Sequence, residues 1–201
     1  MQLVRIKQRS KSWLDWRRTK ITASDAPIIM EMSPFKTPFQ LLDEKLSCYE
    51  SPQNKYMKRG NELEPIALQA FEKETGLVMF PAVGVHETEW IAASFDGVTI
   101  EEDAIVEIKC PGKKDHACAL DGKIAEKYIA QLQHQIYVSG LSFSYYFSFD
   151  GEKGVILEVK RDEEFIEKMI AKETDFWNIL STEIELRNIR KKDLENATGI
   201  I

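Results

Sequence analysis

Apolar and polar residues recur at two different periods along this chain, and the changes of period mark its elements. Over residues 123–139, Ile124, Tyr128, Ile129, Leu132, Ile136 and Tyr137 recur at three and four, which predicts a helix that Gly140 ends. Residues 56–75 predict a second helix, with Ile66, Leu68, Ala70 and Phe71 as its apolar stripe and Gly76 as its stop. Pro65 lies within it, so a kink or a helix start is expected near Glu62. Upstream, residues 11–19 predict a short helix capped by Ser10 or Ser12, with Trp13 and Trp16 on one face. Thr22 or Ser24 can cap another that runs to about Met30, and Thr37-Pro38 opens a third carrying Phe39, Leu41, Leu42 and Leu46. Residues 113–120 predict a further helix. A long closing helix begins at Asp162-Glu163-Glu164, where the dipole favours acids, and buries Phe165, Met169, Phe176, Trp177, Leu180 and Ile184. Residues 51–54 form a polar break, and residues 187–201 are expected to be a frayed or partner-dependent tail.

Between these helices the period drops to two. Residues 77–81, 83–86, 90–93, 141–150 and 153–160 predict short strands, the last two joined at Asp150-Gly151-Glu152. Two apolar runs, 91–98 and 104–109, flank Asp-Gly and Glu-Glu-Asp, which are turn residues, so a hairpin or meander is expected. Each run carries charge where a buried strand should not: Asp96 in the first, Glu107 and Lys109 in the second. Alternation puts Glu107 and Lys109 on one face and Val106 and Ile108 on the other. If the two strands pair, Asp96 and Glu-x-Lys converge into a two-carboxylate metal site with an ammonium beside it. The same alternation also describes a solvated sheet face, where Glu-x-Lys is a surface pair worth under ~1 kcal/mol.

Helices, a mixed sheet of about five strands with one crossover helix, a hairpin and a closing helix make an α/β or α+β fold. At 201 residues the chain is read as one domain, 1–201. Apolar content of 43% and charged content of 30% fit a soluble protein, and no apolar run approaches the roughly 20 residues of a membrane span. Cys48, Cys110 and Cys118 are odd in number and lack zinc-site spacing, which points to reduced thiols in the cytoplasm. The net charge of −6 argues at first against a nucleic-acid partner. Its distribution changes that picture, because residues 1–20 hold seven cations against Asp15 alone.

Taken together, the motifs resemble the lambda-type alkaline exonucleases, also called YqaJ-like viral recombinases, of the PD-(D/E)xK nuclease superfamily. The resemblance runs from about Trp13 to Trp177. It rests on Trp13…Arg17…Ile21-Thr22-Ala23-Ser24, Gly60…Glu64, Ser94-Phe95-Asp96-Gly97, Glu107-Ile108-Lys109-Cys110-Pro111 and Tyr128…Gln131…Gln133…Tyr137. Phe95 stands where the superfamily has proline, and Thr19 where the family usually has glycine. The resemblance implies a restriction-endonuclease-like core, a central mixed sheet flanked by helices. It implies a 5′→3′ exonuclease that degrades one strand of linear double-stranded DNA and leaves a 3′ overhang for phage-type recombination. Such an enzyme would form a homotrimeric ring, work with a single-strand-annealing recombinase, and act in the cytoplasm of a bacterial host from a phage or prophage gene. It also implies roles: Asp96, Glu107 and the Ile108 carbonyl as ligands of Mg²⁺ or Mn²⁺, as two ions that Asp96 would bridge, and Glu64 for the second ion or metal-bound water. Lys109 would orient or deprotonate the attacking water, Gln131 or else Gln133 would support the site, and Arg17, Ser24 and Ser94 would hold a terminal 5′-phosphate. An endonuclease on the same core, or a catalytically silent DNA-binding scaffold for recombination, are the alternatives.

Overall fold

The two charged apolar runs pair. In the computed structural model, which describes residues 1–47 and 54–198 and side chains up to 191, they form antiparallel strands β4 (Ile91–Val98) and β5 (Ile105–Lys109). Gly97 faces Val106 and Val98 faces Ile105, so one step along the register brings Asp96 opposite Glu107. On its other edge β5 pairs in parallel with β6 (Phe143–Phe149), Glu107 against Tyr146 and Lys109 against Ser148. A parallel pair needs a crossover, which α5 (Lys113–Leu120) and α6 (Glu126–Ser139) supply. β7 (Gly154–Lys160) closes that side as a hairpin with β6. On the other side β3 (Phe80–Val85) pairs with β4, and β1 (Gln2–Leu3) with β3. A two-residue strand, β2 (Ile21–Thr22), runs parallel to the start of β4, which makes seven strands among the described residues.

Helices cover both faces. From α4 (Lys55–Thr75), Ala67 and Phe71 pack on Met79, Val106, Ile108, Phe147 and Phe149. From α6, Ala130, Leu132, Ile136 and Val138 pack with Ile91, Phe95, Ile105 and Tyr146, joined by Ile166 and Met169 of α7 (Glu163–Thr198). A third cluster joins Ile21, Ile29 of α2 (Ala26–Ile29), Leu41 of α3 (Pro38–Ser47), and Phe176 and Leu180 of α7. The first helix, α1 (Lys11–Arg18), is capped by the Ser10 hydroxyl, which accepts the Trp13 N–H at 3.2 Å.

Several boundaries depart from the sequence pattern for identifiable reasons. The two strands expected over 77–86 are one, β3, whose register shifts between Phe80 and Ala82, where β4 carries the extra residue between Phe95 and Val98. Helix α4 starts at Lys55 and runs through Pro65, and Ile66 is 52% exposed while Ala67 is buried. Neither Thr22 nor Ser24 caps α2; instead the Asp25 carboxylate accepts the Thr22 N–H and hydroxyl, both at 2.8 Å. Gly97 lies within β4, not in a turn. A Cβ there would stand 2.8 Å from both Met79 Cβ and Val106 Cγ1. The tail is helical as far as Thr198. Cys48 and all of the expected polar break except Asn54 lie outside the described residues.

One buried pair fastens α6 and α7 to the sheet. His134 Nδ1 lies 2.8 Å from Glu173 Oε1, and Nε2 lies 2.9 Å from the Ala92 carbonyl oxygen. A protonated ring donates from both nitrogens, one to the Glu173 carboxylate and one to the carbonyl. Burial opposes the charge, but Glu173 and the carbonyl outweigh it and hold the His134 pKa above the usual histidine value. A raised folded-state pKa gives stability that is complete below the unfolded value of about 6.5 and is lost as the pH climbs through the folded value. Urea midpoints measured from pH 6 upward should therefore fall across that window in the wild type. Glu173→Gln, which removes the charge, should flatten that part of the curve, and an unchanged pH profile would contradict the pairing.

Candidate active site

Glu107 is the most enclosed of the charged residues picked out by sequence. It is 3% exposed, and its side chain leaves β5 on the side opposite Val106 and Ile108, toward α6. Its Oε1 accepts from Lys109 Nζ at 2.5 Å and from Gln131 Nε2 at 2.6 Å, while Lys109 also donates to Gln131 Oε1 at 3.0 Å. The three side chains close a triangle of three hydrogen bonds. Gln135, one turn further along α6, donates to Glu107 Oε2. The Tyr128 ring lies 5.4 Å from Lys109 Nζ.

Asp96 accepts the Ile108 N–H at 2.8 Å, so β4 and β5 are bonded through the side chain as well as the ladder. Its carboxyl is held well above the usual range, first by burial, then by the charges of Glu107 and Glu64, with Lys109 and the Ile108 N–H opposing. Glu64, from α4, thus shares the field of the other two carboxylates, and its Oε2 pairs with Arg9 Nη2. Lys109 responds in the other direction. Burial would lower its pKa, but Glu107 and Asp96 prevail and raise it, so the side chain stays an ammonium.

A second cluster adjoins the first. Arg17 Nη2 donates to Ser24 Oγ at 2.7 Å and Thr22 Oγ1 at 3.2 Å, and its guanidinium sits 4.7 Å over the Trp13 ring. Trp13 Nε1 in turn donates to Ser94 Oγ at 3.1 Å. Arg17, Ser24 and Ser94 are therefore assembled through Trp13, and Ser94 precedes Asp96 by two residues on β4. The loop is held from behind by a buried ion pair. Lys45 Nζ meets Asp25 Oδ2 at 2.8 Å and the carbonyl oxygens of Lys20 and Arg17 at 2.8 and 3.3 Å. Burial would raise the Asp25 pKa, but Lys45 and Arg17 pull it below its usual value.

Of the two glutamines considered from sequence, Gln131 touches Glu107 and Lys109. Gln133 points elsewhere, donating to the Lys160 carbonyl at 2.8 Å and accepting the Asp162 N–H at 3.0 Å. Gln135 and the Asp25–Lys45 pair were not singled out, although the spacing of four between Gln131 and Gln135 already places both on one face. Among the described residues no three of His, Cys, Asp or Glu form a ready-made metal cluster. What the site offers a cation is hard oxygen, from Asp96 and Glu107, in a place where like charges already raise the carboxyl of Asp96.

The sequence matches the YqaJ-like viral recombinase domain over residues 12–142. It is 34% identical over 174 residues to the uncharacterized protein YqaJ of Bacillus subtilis (strain 168), covering 83% of this chain and 54% of that one. The chain thus spans about half the length of that curated relative. The alkaline exonuclease LHK-Exo from Laribacter hongkongensis superposes with a TM-score of 0.76 at 27% identity, covering 92% of this chain and all of that one. The same enzyme in complex with dAMP gives 0.77 at the same identity and coverage. A phage-related exonuclease from Haemophilus somnus 129PT shares the fold, with a TM-score of 0.62 at 17% identity, covering 82% of this chain and 96% of that one. The mixed sheet flanked by helices thus matches those exonuclease structures, and with more than half of its length matched the chain belongs to the YqaJ-like viral recombinase family.

Proposed function

We propose that this chain is a divalent-metal-dependent exonuclease that removes nucleotides from the 5′ ends of linear double-stranded DNA and leaves a 3′ overhang for strand annealing. The observation that carries the reading is the register of β4 on β5, which sets Asp96 opposite Glu107 with the Lys109 ammonium alongside. The likeness to an alkaline exonuclease crystallised with dAMP, a deoxynucleoside monophosphate, supports it. Asp96, Glu107 and the Ile108 carbonyl would hold Mg²⁺ or Mn²⁺, with Glu64 available to a second ion or to water. When bound, such ions lower the pKa of water and neutralise charge on the reacting phosphate. Lys109, an ammonium beside its carboxylates, would orient water and phosphate oxygen by donating hydrogen bonds. Gln131 fixes its direction. No helix among the described residues is long and apolar enough to cross a membrane, and action in a bacterial cytoplasm from a phage or prophage gene belongs to the same proposal.

End-labelled linear duplex and covalently closed circle, each incubated with Mg²⁺, test the reading. Linear DNA alone should be degraded, and chelation should stop it; cleaved circles would indicate an endonuclease, and two intact substrates a silent scaffold. Asp96→Ala and Glu107→Gln should each abolish nearly all activity while staying folded. Full activity in either, with contaminating nuclease excluded, would remove the assignment.

The Arg17 cluster supplies the end specificity in this proposal. A terminal phosphate monoester carries more charge than an internal diester, and a fixed guanidinium reads that difference with paired hydrogen bonds worth roughly 1.5–3 kcal/mol each. Wild type should prefer 5′-phosphorylated over 5′-hydroxyl ends. Arg17→Ala should slow the phosphorylated substrate about 10- to 100-fold and erase the preference, and lysine should restore it only in part. Paired duplexes differing only at the 5′ end decide this, and a wild-type ratio in the alanine variant would show that Arg17 does not read the end.

A homotrimeric ring, with a single-strand-annealing recombinase as partner, completes the proposal. A protein of net charge −6 is attracted only weakly to DNA as a whole, and encirclement would keep it there between cuts. Light scattering should give three times the chain mass of 23.2 kDa. A monomer that degrades long duplex without releasing it would contradict the ring.

A further inference from the structure

Glu107 accepts three side-chain hydrogen bonds, and their division between its two oxygens is uneven. Oε1 takes Lys109 Nζ and Gln131 Nε2, whereas Oε2 takes Gln135 Nε2. A carboxylate has roughly four acceptor directions, two on each oxygen. Oε1 is therefore filled, and Oε2 keeps one direction open. Gln135 is 1% exposed, and the same amide nitrogen donates to the Ser94 carbonyl oxygen at 3.1 Å. Turned the other way, the amide would set its own oxygen against two acceptors, so its orientation is fixed. That orientation leaves Gln135 Oε1 buried with no hydrogen-bond donor. An apolar side chain of similar size would avoid that cost but leave Glu107 Oε2 and the Ser94 carbonyl without this donor. Gln135 is thus held in place by what it donates to, Glu107 and Ser94, and not by anything its oxygen accepts.

Resting on the nuclease reading above, we infer that Gln135 is a positioning residue for the cation site, tying Glu107 to β4 at Ser94 and presenting Oε2 as its ligand oxygen. Ser94 is two residues from Asp96 on β4, so one amide holds the carboxylate of β5 against the strand that carries the other carboxylate. Groups that orient a metal's ligands set its affinity, and losing one costs about 10- to 100-fold.

Mn²⁺ binding followed by electron paramagnetic resonance tests this on the whole protein. Gln135→Met should bind Mn²⁺ about 10- to 100-fold more weakly than wild type. The Mn²⁺ concentration for half-maximal cleavage should rise equally, while kcat at saturating Mn²⁺ changes far less. Gln135→Asn keeps the amide but not the reach, and it should show the same loss should the apolar variant fail to fold. Wild-type Mn²⁺ affinity in a folded Gln135→Met protein would overturn the inference. So would equal falls in kcat and affinity with a lowered melting temperature, the mark of a packing residue. If wild type does not bind Mn²⁺, or Asp96→Asn binds it equally well, the nuclease reading fails instead.

Discussion

Two carboxylates on neighbouring strands, partly shielded from water, repel each other, and the architecture around β5 is arranged to offset that repulsion. Asp96 and Glu107 stand opposite one another, with Glu64 adding to the same field. Left alone, they would favour strand separation or protonation. Asp96 shows the strain in its raised pKa. One ammonium and two amides converge on the oxygens of Glu107, and Arg9 pairs with Glu64. In the proposed function, a divalent cation between the carboxylates would offset the repulsion that these donors leave at Asp96.

The topology explains why those donors are at hand. β5 lies between an antiparallel and a parallel neighbour, and the parallel pairing with β6 requires a crossover whose second helix is α6. That helix lays Gln131 and Gln135 over Glu107, while its apolar positions fill the core beside Ile105 and Tyr146. On the opposite face α4 covers Val106 and Ile108 with Ala67 and Phe71 and brings Glu64 to the edge of the site. The buried Asp25–Lys45 pair then fixes the end of α1, which carries Arg17, and the loop that presents Ser24. Breaking such a pair costs about 3–5 kcal/mol, because the surviving charge stays buried.

The strongly periodic pieces were legible in sequence. The bounds of α5 were read without error, and those of α6 within three residues, because Gly140 and the spacing of Ile124 to Tyr137 are local signals. The convergence of Asp96, Glu107, Lys109 and Gln131 followed from alternation, strand pairing and family resemblance together. What escaped depended on contacts between distant segments. The two-residue strands β1 and β2 exist only because β3 and β4 offer them edges. Asp25 follows the two expected caps, Thr22 and Ser24, yet its role is decided by Lys45, twenty residues on. Gly97 read as turn chemistry, but the close approach of Met79 and Val106 requires it. Whether burial or carboxylates would govern Lys109 could not be balanced without the enclosure itself, and the carboxylates prevail.

The most direct measurement of the central claim is an anomalous difference map from crystals soaked in Mn²⁺. The account predicts a peak within coordination distance of both Asp96 and Glu107 Oε2. A map with no peak at those carboxylates, or with Mn²⁺ bound only elsewhere on the molecule, would contradict it.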